Sequence, residues 1–373
     1  MEPVCDLVLL SWNHLEETQP CLESLFEEIT VPSRLLIVDN GSEPSVRVFL
    51  KSVTPRGAIQ EVVFLQNETN EGFPRGMNRG LRASRAPYVC LLNNDLRFGK
   101  GWLQEMIDVA GANPSIGVLN PTSSTFGVYP PHGMSYREYN QTLAPLRGQY
   151  VEVGMCIGFC MLITRAVIDR IGGLNEEVER IFFEDEEYCM RAQQAGFLCV
   201  VASASYVYHT EHSTVKQMPE REALFGRNRD WLRRKWGRRL RIAYPRFTPV
   251  QPGSSELRRW LEELVAMARK RRFVYVYCPS ARRISKQDLF RSVGLVPHAD
   301  VGWYPLSSSW PAMTAMGRIL SRRKKPFDVI VAPDDQWAQW MARMQWWHRA
   351  DVIAERDRER LEQICQQKSR FPS

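Results

Sequence analysis

No stretch of this chain approaches the roughly 18 consecutive apolar residues that a membrane-crossing helix needs. The opening segment, Met1 to Ser11, has no basic region and only a short apolar run, so it does not read as a secretory leader. The expectation is a soluble cytoplasmic protein, or at most one held peripherally at the inner face of a membrane. Internal repeats are absent, and no glycine-rich phosphate loop follows the first apolar run, which ends in Ser11-Trp12-Asn13-His14. A paired cysteine framework is missing too. The nine cysteines are odd in number and lie mostly inside apolar runs, as reduced core thiols do. Cys156 and Cys160 share one face of a strand-like run with no second pair nearby, so they read as core thiols and not as metal ligands.

At 373 residues the chain is long for one domain, and its charge is unevenly spread. Residues 1–250 carry 27 Lys and Arg against 29 Asp and Glu, whereas residues 251–373 carry 22 against 13. The whole excess of +7 therefore lies in the C-terminal third, which faces different partners from the rest. Pro245, Pro249, Pro252, Gly253 and Ser254 read as a linker, giving expected domains of 1–248 and 249–373.

Through the first domain, strand-length apolar runs alternate with helix-period segments, the pattern of an α/β fold with a largely parallel sheet. Strands are expected at Val4 to Ser11, Leu35 to Val38, Val62 to Leu65, Tyr88 to Leu92 and Gly158 to Thr164, with two short ones ending at His209. Polar residues follow the first, second and fourth strands, on the edge of a parallel sheet where ligands bind. Pro121 to Tyr150 has no period and reads as a long loop. In the second domain Leu257, Trp260, Leu261, Leu264 and Val265 mark an amphipathic helix, and Phe273 to Tyr277 and Phe327 to Val331 are strand candidates. Trp337 to Trp347 reads as one helix with an apolar stripe, and 351–370 as an exposed charged helix.

Singly, the polar clusters are ordinary. Asp39-Asn40-Gly41-Ser42 suits a turn, Asn93-Asn94-Asp95 a loop, and Glu184 to Glu187 the first turn of any helix, where acids meet the positive end of its dipole. Their order and spacing together carry more. With Leu9-Leu10-Ser11-Trp12-Asn13, Asn70-Glu71-Gly72-Phe73, Gly76, Asn78-Arg79-Gly80, Phe183-Glu184-Asp185, His209 with Ser213, and Arg227-Asn228-Arg229, they run along about two thirds of the chain. In this joint pattern the chain resembles an inverting family 2 glycosyltransferase of the GT-A fold, a Rossmann-like α/β domain, here followed by a smaller α/β or helical accessory domain.

The resemblance implies transfer of a hexosyl or deoxyhexosyl group from a nucleotide diphosphate sugar to an acceptor hydroxyl. It implies a donor site at Ser11, Asn13, Asp39, Asn40, Gly72, Gly76, Asn78, Asn93, Asn94, Asp95, Arg227 and Asn228. Asp39 would accept a bond from a pyrimidine ring N–H, which favours a UDP- or dTDP-sugar. Gly72 and Gly76 would let the backbone approach the donor. A divalent ion, Mn2+ or Mg2+, would sit on Asp95 and His209; where the family carries two acids around this position, the chain has Asn93 and only Asp95. Asp185 would be the general base, flanked by Ile181, Phe182 and Phe183, and Glu184 would hold the acceptor. The acceptor would be a glycan, a lipid-linked sugar or a protein, in cell-surface polysaccharide synthesis or a related pathway.

Arg221 to Arg272 holds 16 Lys and Arg against 5 Asp and Glu, interleaved with Trp231, Trp236 and Trp260. Such a band suits anionic lipid or phosphate, and equally a solvated face. Peripheral membrane contact and a homodimer stay open; nucleic acid is the least favoured partner. Three other readings compete: a nucleotidyltransferase, which the absent glycine-rich loop disfavours; a sugar-nucleotide binder that has lost turnover; and a nucleic-acid binder built on the basic region.

Overall fold

A computed structural model describes residues 2–211, 220–279, 284–307 and 309–370; Ser213 lies outside these. The chain divides into two compact units, 1–230 and 231–373.

In the first unit β1 (Cys5–Ser11), β2 (Ser33–Asn40), β3 (Ile59–Asn67) and β4 (Tyr88–Leu92) stand in the order β3-β2-β1-β4, all parallel. β1 and β2 are buried almost throughout, with continuous apolar runs at Leu7–Leu10 and Leu35–Val38, because helices cover both faces of the sheet, and no polar alternation is left to read. Beyond β4 the sheet becomes mixed. β5 (Leu96–Phe98), β6 (Ile116–Ser123), β7 (Tyr150–Glu152), β8 (Cys160–Thr164) and β9 (Leu198–His209) continue it as β8-β6-β9-β5, with β7 on β9. The helices are α1 (Leu15–Glu28), α2 (Pro44–Ser52), α3 (Phe73–Ala83), α4 (Trp102–Ala112), α5 (Tyr136–Thr142), α6 (Arg165–Ile171), α7 (Glu184–Gln194) and α8 (Arg221–Trp236).

Two local expectations change. The two short strands ending at His209 are one, β9, whose register against β6 jumps from Pro121↔Ala202 to Thr122↔Tyr206. The extra residues bow the strand out, and that break in alternation reads as an interruption in sequence. Within 121–150 the chain forms α5, whose capping box joins Ser135 and Glu138 reciprocally. Seven residues are too few to show a period, so the cap was the only local signal.

Asp6 on β1 is fully buried and takes Arg34 of β2 in a two-pronged pair at 2.7 and 2.9 Å, plus the N–H groups of Arg85 and Ala86. Both charges are thus desolvated and matched, and the amino end of the parallel strands is tied together there.

The second unit is a parallel five-stranded sheet with the order β12-β11-β10-β13-β14, formed by β10 (Leu240–Pro245), β11 (Arg272–Pro279), β12 (Val301–Leu306), β13 (Val329–Ala332) and β14 (Asp351–Ala354). The expected boundary at 248/249 falls after β10, the middle strand of this sheet; the segment read as linker is a βα connection. Leu240, Ile242 and Tyr244 of β10 point to one face, with α9 (Ser255–Arg269), α10 (Lys286–Ser292) and α14 (Arg358–Ser369). Ala243 points to the other, with α11 (Pro311–Leu320), α12 (Asp335–Arg343) and α13 (Gln345–His348). The tryptophan-rich helix is broken at Met344, and the charged tail contributes β14 and buries Leu361 and Cys365. All nine cysteines are free and buried. Among the described residues no helix is long and apolar enough to cross a membrane.

Candidate functional site

At the carboxyl edge of the first sheet lies a cavity of about 1050 Å³. Asn13, just past β1, Asn40, at the end of β2, and Asn93, Asn94 and Asp95, past β4, meet in its wall. Parallel strands end side by side, so residues far apart in sequence converge there. Gly72, Glu184, Asp185 and His209 complete the predicted residues that line it.

Asp95 and His209 come together on the antiparallel pairing of β5 with β9, which sets Leu96 against His209. The Asp95 Oδ1 to His209 Nε2 distance is 3.0 Å. Thr125 Oγ1 bonds the other ring nitrogen, Nδ1, at 2.8 Å, and the ring stacks on Phe159 at 5.3 Å, so the imidazole is held in one orientation. Neighbouring ligands of an octahedral ion with 2.0–2.1 Å bonds stand about 3 Å apart, so this oxygen and nitrogen fit adjacent positions on Mn2+ or Mg2+.

Across α7 the two acids differ. Asp185 accepts N–H bonds from Gly158 at 3.1 Å and Glu186 at 2.7 Å, which aim the carboxylate. Burial pushes its pKa up to about 6, against the opposing pull of those N–H groups. Glu184 is buried, its Oε2 has no partner, and burial followed by the neighbouring Asp185 charge raises its pKa well above the ordinary range. Burial thus favours the neutral form of Glu184, which presents a free hydrogen-bonding oxygen to the cavity wall. The segment before these acids is strained: Arg180, Phe182 and Phe183 have φ of 52°, 79° and 72°, in the left-handed region. Asn228 of α8, nearly buried, pins that segment through its side-chain amide to the carbonyls of Glu179 at 2.9 Å and Ile181 at 2.8 Å. Arg227 pairs with Glu179 beside it.

Six predicted residues do not line the cavity. Ser11 is buried against Thr18, with the two hydroxyls 3.3 Å apart. Asp39 is also buried, its oxygens bonded to the Ser42 N–H at 2.8 Å and Arg47 at 3.1 Å; Ser42 Oγ then accepts from the Asn13 N–H at 2.9 Å. Asp39 therefore shapes the loop carrying Asn13 and does not itself face the cavity. Asn78 ties 174–176 to α3 through both Leu174 backbone groups and Glu176. A Cβ on Gly76 would stand 2.5 Å from Leu10 Cδ1, so the close packing of α3 on β1 favours a small residue there. Gly72 likewise meets the Arg180 backbone, 2.6 Å from an added Cβ, at a φ of +83°. Arg227 and Asn228 act on the wall from behind.

Sequence reading missed Phe159, Thr125 and Phe225, which meets the expected Phe182 and Phe183 at 5.4 and 4.9 Å. Isolated aromatics carry no spacing signal, although Phe182 and Phe183 adjoin the acids that did.

Known proteins resemble this chain. The glycosyl transferase family 2 profile matches residues 6–172. The uncharacterized protein y4gI of Sinorhizobium fredii is 24% identical over 261 residues, covering 63% of this chain and 28% of that protein. An N-acetylglucosaminyl-diphospho-decaprenol L-rhamnosyltransferase of Mycobacterium tuberculosis is 26% identical over 255 residues, 57% of this chain and 78% of that one. Among solved structures, a Pyrobaculum calidifontis mannosyltransferase in complex with GDP-Man and Mn2+ aligns with a TM-score of 0.42 at 13% identity, over 57% of this chain and 59% of that one.

Proposed function

We propose, from the match of residues 6–172 to the glycosyl transferase family 2 profile, that the chain is an inverting glycosyltransferase that moves a hexosyl or deoxyhexosyl group from a UDP- or dTDP-sugar to an acceptor hydroxyl. The observation that carries the reading is one cavity holding both the Asp95–His209 pair and a carboxylate whose pKa is raised to about 6.

Asp95 and His209 would hold a divalent cation, Mn2+ or Mg2+, which when bound neutralises charge on the departing diphosphate. Asn13, Asn40, Asn93 and Asn94 line the donor side; Asp39 supports Asn13 through Ser42, and Ser11 supports Asn94 through Thr18. Asp185 takes the proton from the acceptor hydroxyl as its oxygen attacks the anomeric carbon; a base that titrates near 6 is ionised at neutral pH yet still basic enough to serve. Glu184 holds that hydroxyl through its unpartnered oxygen. Arg227 and Asn228 fix the strained segment that presents both acids. A lipid-linked acceptor is favoured by the named activity of the mycobacterial relative.

Thermal unfolding with UDP, dTDP, GDP and CMP, each with and without Mn2+, tests the donor site, since a ligand of the folded state raises its stability. The expected result is a metal-dependent shift with UDP or dTDP that Asp95→Ala removes. No shift with any of the four nucleotides counts against the reading.

A further inference from the structure

The helical layer of α11, α12 and α13 on one face of the second sheet is unlike the rest of the surface. Three tryptophans stand out from it: Trp346 is 75% exposed, Trp340 56% and Trp347 47%. Large apolar side chains in water mark a surface that is normally covered. Around them the chain runs Arg322-Arg323-Lys324-Lys325 at the end of α11 and Arg349 after α13. Arg323, Lys324, Lys325 and Arg349 are exposed, and none has a carboxylate partner among the described residues. A hollow of about 360 Å³ lies between the two groups, lined by Arg322, Arg323, Arg349, Trp346 and Trp347.

The arrangement is fixed and not merely compositional. Trp347 donates its indole N–H to the Leu320 carbonyl at 3.2 Å, Arg323 lies 5.0 Å over the Trp347 ring, and Trp346 stands edge-on to Trp347 at 5.4 Å. Arg322 is anchored on Tyr275, bonding its hydroxyl at 2.9 Å. Indole rings with an apolar body and a polar N–H settle at the headgroup level of a bilayer, and unpaired cations beside them meet anionic headgroups.

We propose that this face, centred on Trp346, Trp347, Arg323 and Arg349, docks the protein on an anionic lipid bilayer, with lipid phosphate entering the arginine-lined hollow. The charge pattern selects this occupant. A second copy would bring the same uncompensated cations face to face, whereas anionic lipid neutralises them and takes up the indoles at once. The surface lies in a different stretch from the basic band at Arg221 to Arg272, and the inference is independent of the sugar-transfer reading.

Flotation of the full chain with vesicles of phosphatidylcholine alone, and of phosphatidylcholine with 30 mol% phosphatidylglycerol, tests it. Binding is expected to the anionic vesicles only, with a blue shift of tryptophan emission and release at high salt. Each cation removed near the surface weakens partitioning about fivefold, so Arg323→Glu with Arg349→Glu is expected to cost at least about 25-fold. Trp346→Ser with Trp347→Ser should also lower binding. Arg259→Glu, an exposed position on α9 over the opposite face, serves as the control for charge alone and should bind nearly normally. The three arginine substitutions should leave the unfolding temperature unchanged, since those positions are exposed. Equal binding to neutral vesicles, no binding to either, an effect of Arg259→Glu equal to that of the double variant, or a concentration-dependent dimer lost in the tryptophan variants would each overturn the proposal.

Discussion

The two units solve the same folding problem with opposite use of their polar residues. Both bury a sheet between helical layers, parallel throughout in the second and mixed beyond β4 in the first. In the first, the carboxyl edge of the sheet gathers polar groups inward, where Asp185, Glu184, Asp95 and His209 share one cavity. In the second, the polar and aromatic surplus is turned outward, onto α11 to α13 and the Arg322 to Lys325 run. Inward convergence suits chemistry on a small molecule held away from bulk water, whereas outward display suits contact with a surface. The lesson is that composition does not separate these uses: tryptophans and arginines lie buried in one element and exposed in the next.

The largest effect expected is on stability. Arg34→Ala leaves Asp6 charged and unpaired in the interior, and should destabilise the first unit by about 3–5 kcal/mol in urea unfolding followed by an amide-exchange readout. The second unit, with its own core, should keep its protection; equal loss in both would erase the energetic side of the comparison. The pair also sets a pH dependence. Burial opposes ionisation of Asp6, but Arg34 and the two N–H groups outweigh it and hold the folded pKa below its ordinary value. The stability it contributes is therefore present above about pH 4 and is lost as pH falls through the folded value.

Next in size, Asp185→Asn should lower turnover at least ~100-fold with nucleotide binding nearly intact. The same change should raise the melting temperature at pH 7. A carboxyl whose pKa is raised on folding favours the folded state most at low pH, and that advantage has gone once pH passes about 6. Normal turnover in this variant would move the base elsewhere in the cavity. With the parent chain, the proposed transfer should slow about tenfold per pH unit below about 6; an acid limb centred near pH 4 would argue against a buried base.

The smallest effect lies in the second unit. Ser254 caps α9 through the Leu257 N–H at 3.1 Å, so Ser254→Ala should cost about 1 kcal/mol there and leave the metal-dependent nucleotide shift unchanged. A changed nucleotide shift would mean the two units are energetically joined.

Much of the site was legible because its residues sit in short runs at strand ends, where a turn-forming polar cluster directly after an apolar stretch marks the edge of the sheet. Asn93-Asn94-Asp95 follows β4 in this way, and Glu184-Asp185 stood out as acids opening a helix beside a run of aromatics. Asp39 was legible as important but not in its task, since only the fold shows its carboxylate spent on Ser42 and Arg47. Gly76 was equally ambiguous, because a small residue records a close approach without naming the neighbour, here Leu10. The boundary was misplaced because β10 is short and flanked by arginines, and a strand buried between two others in a sheet leaves no periodic mark of its neighbours.

The amino-acid order alone determined that apolar runs become strands, that helices cover them, and that polar clusters fall on one sheet edge, because period and turn chemistry are local properties. Tertiary structure decided what those clusters touch. The 3.0 Å meeting of Asp95 with His209, the burial that raises Asp185, and the exposure of Trp346 each depend on residues brought together by strand pairing and packing. Distances and burial of that kind are properties of the assembled core, and no local stretch of sequence contains them.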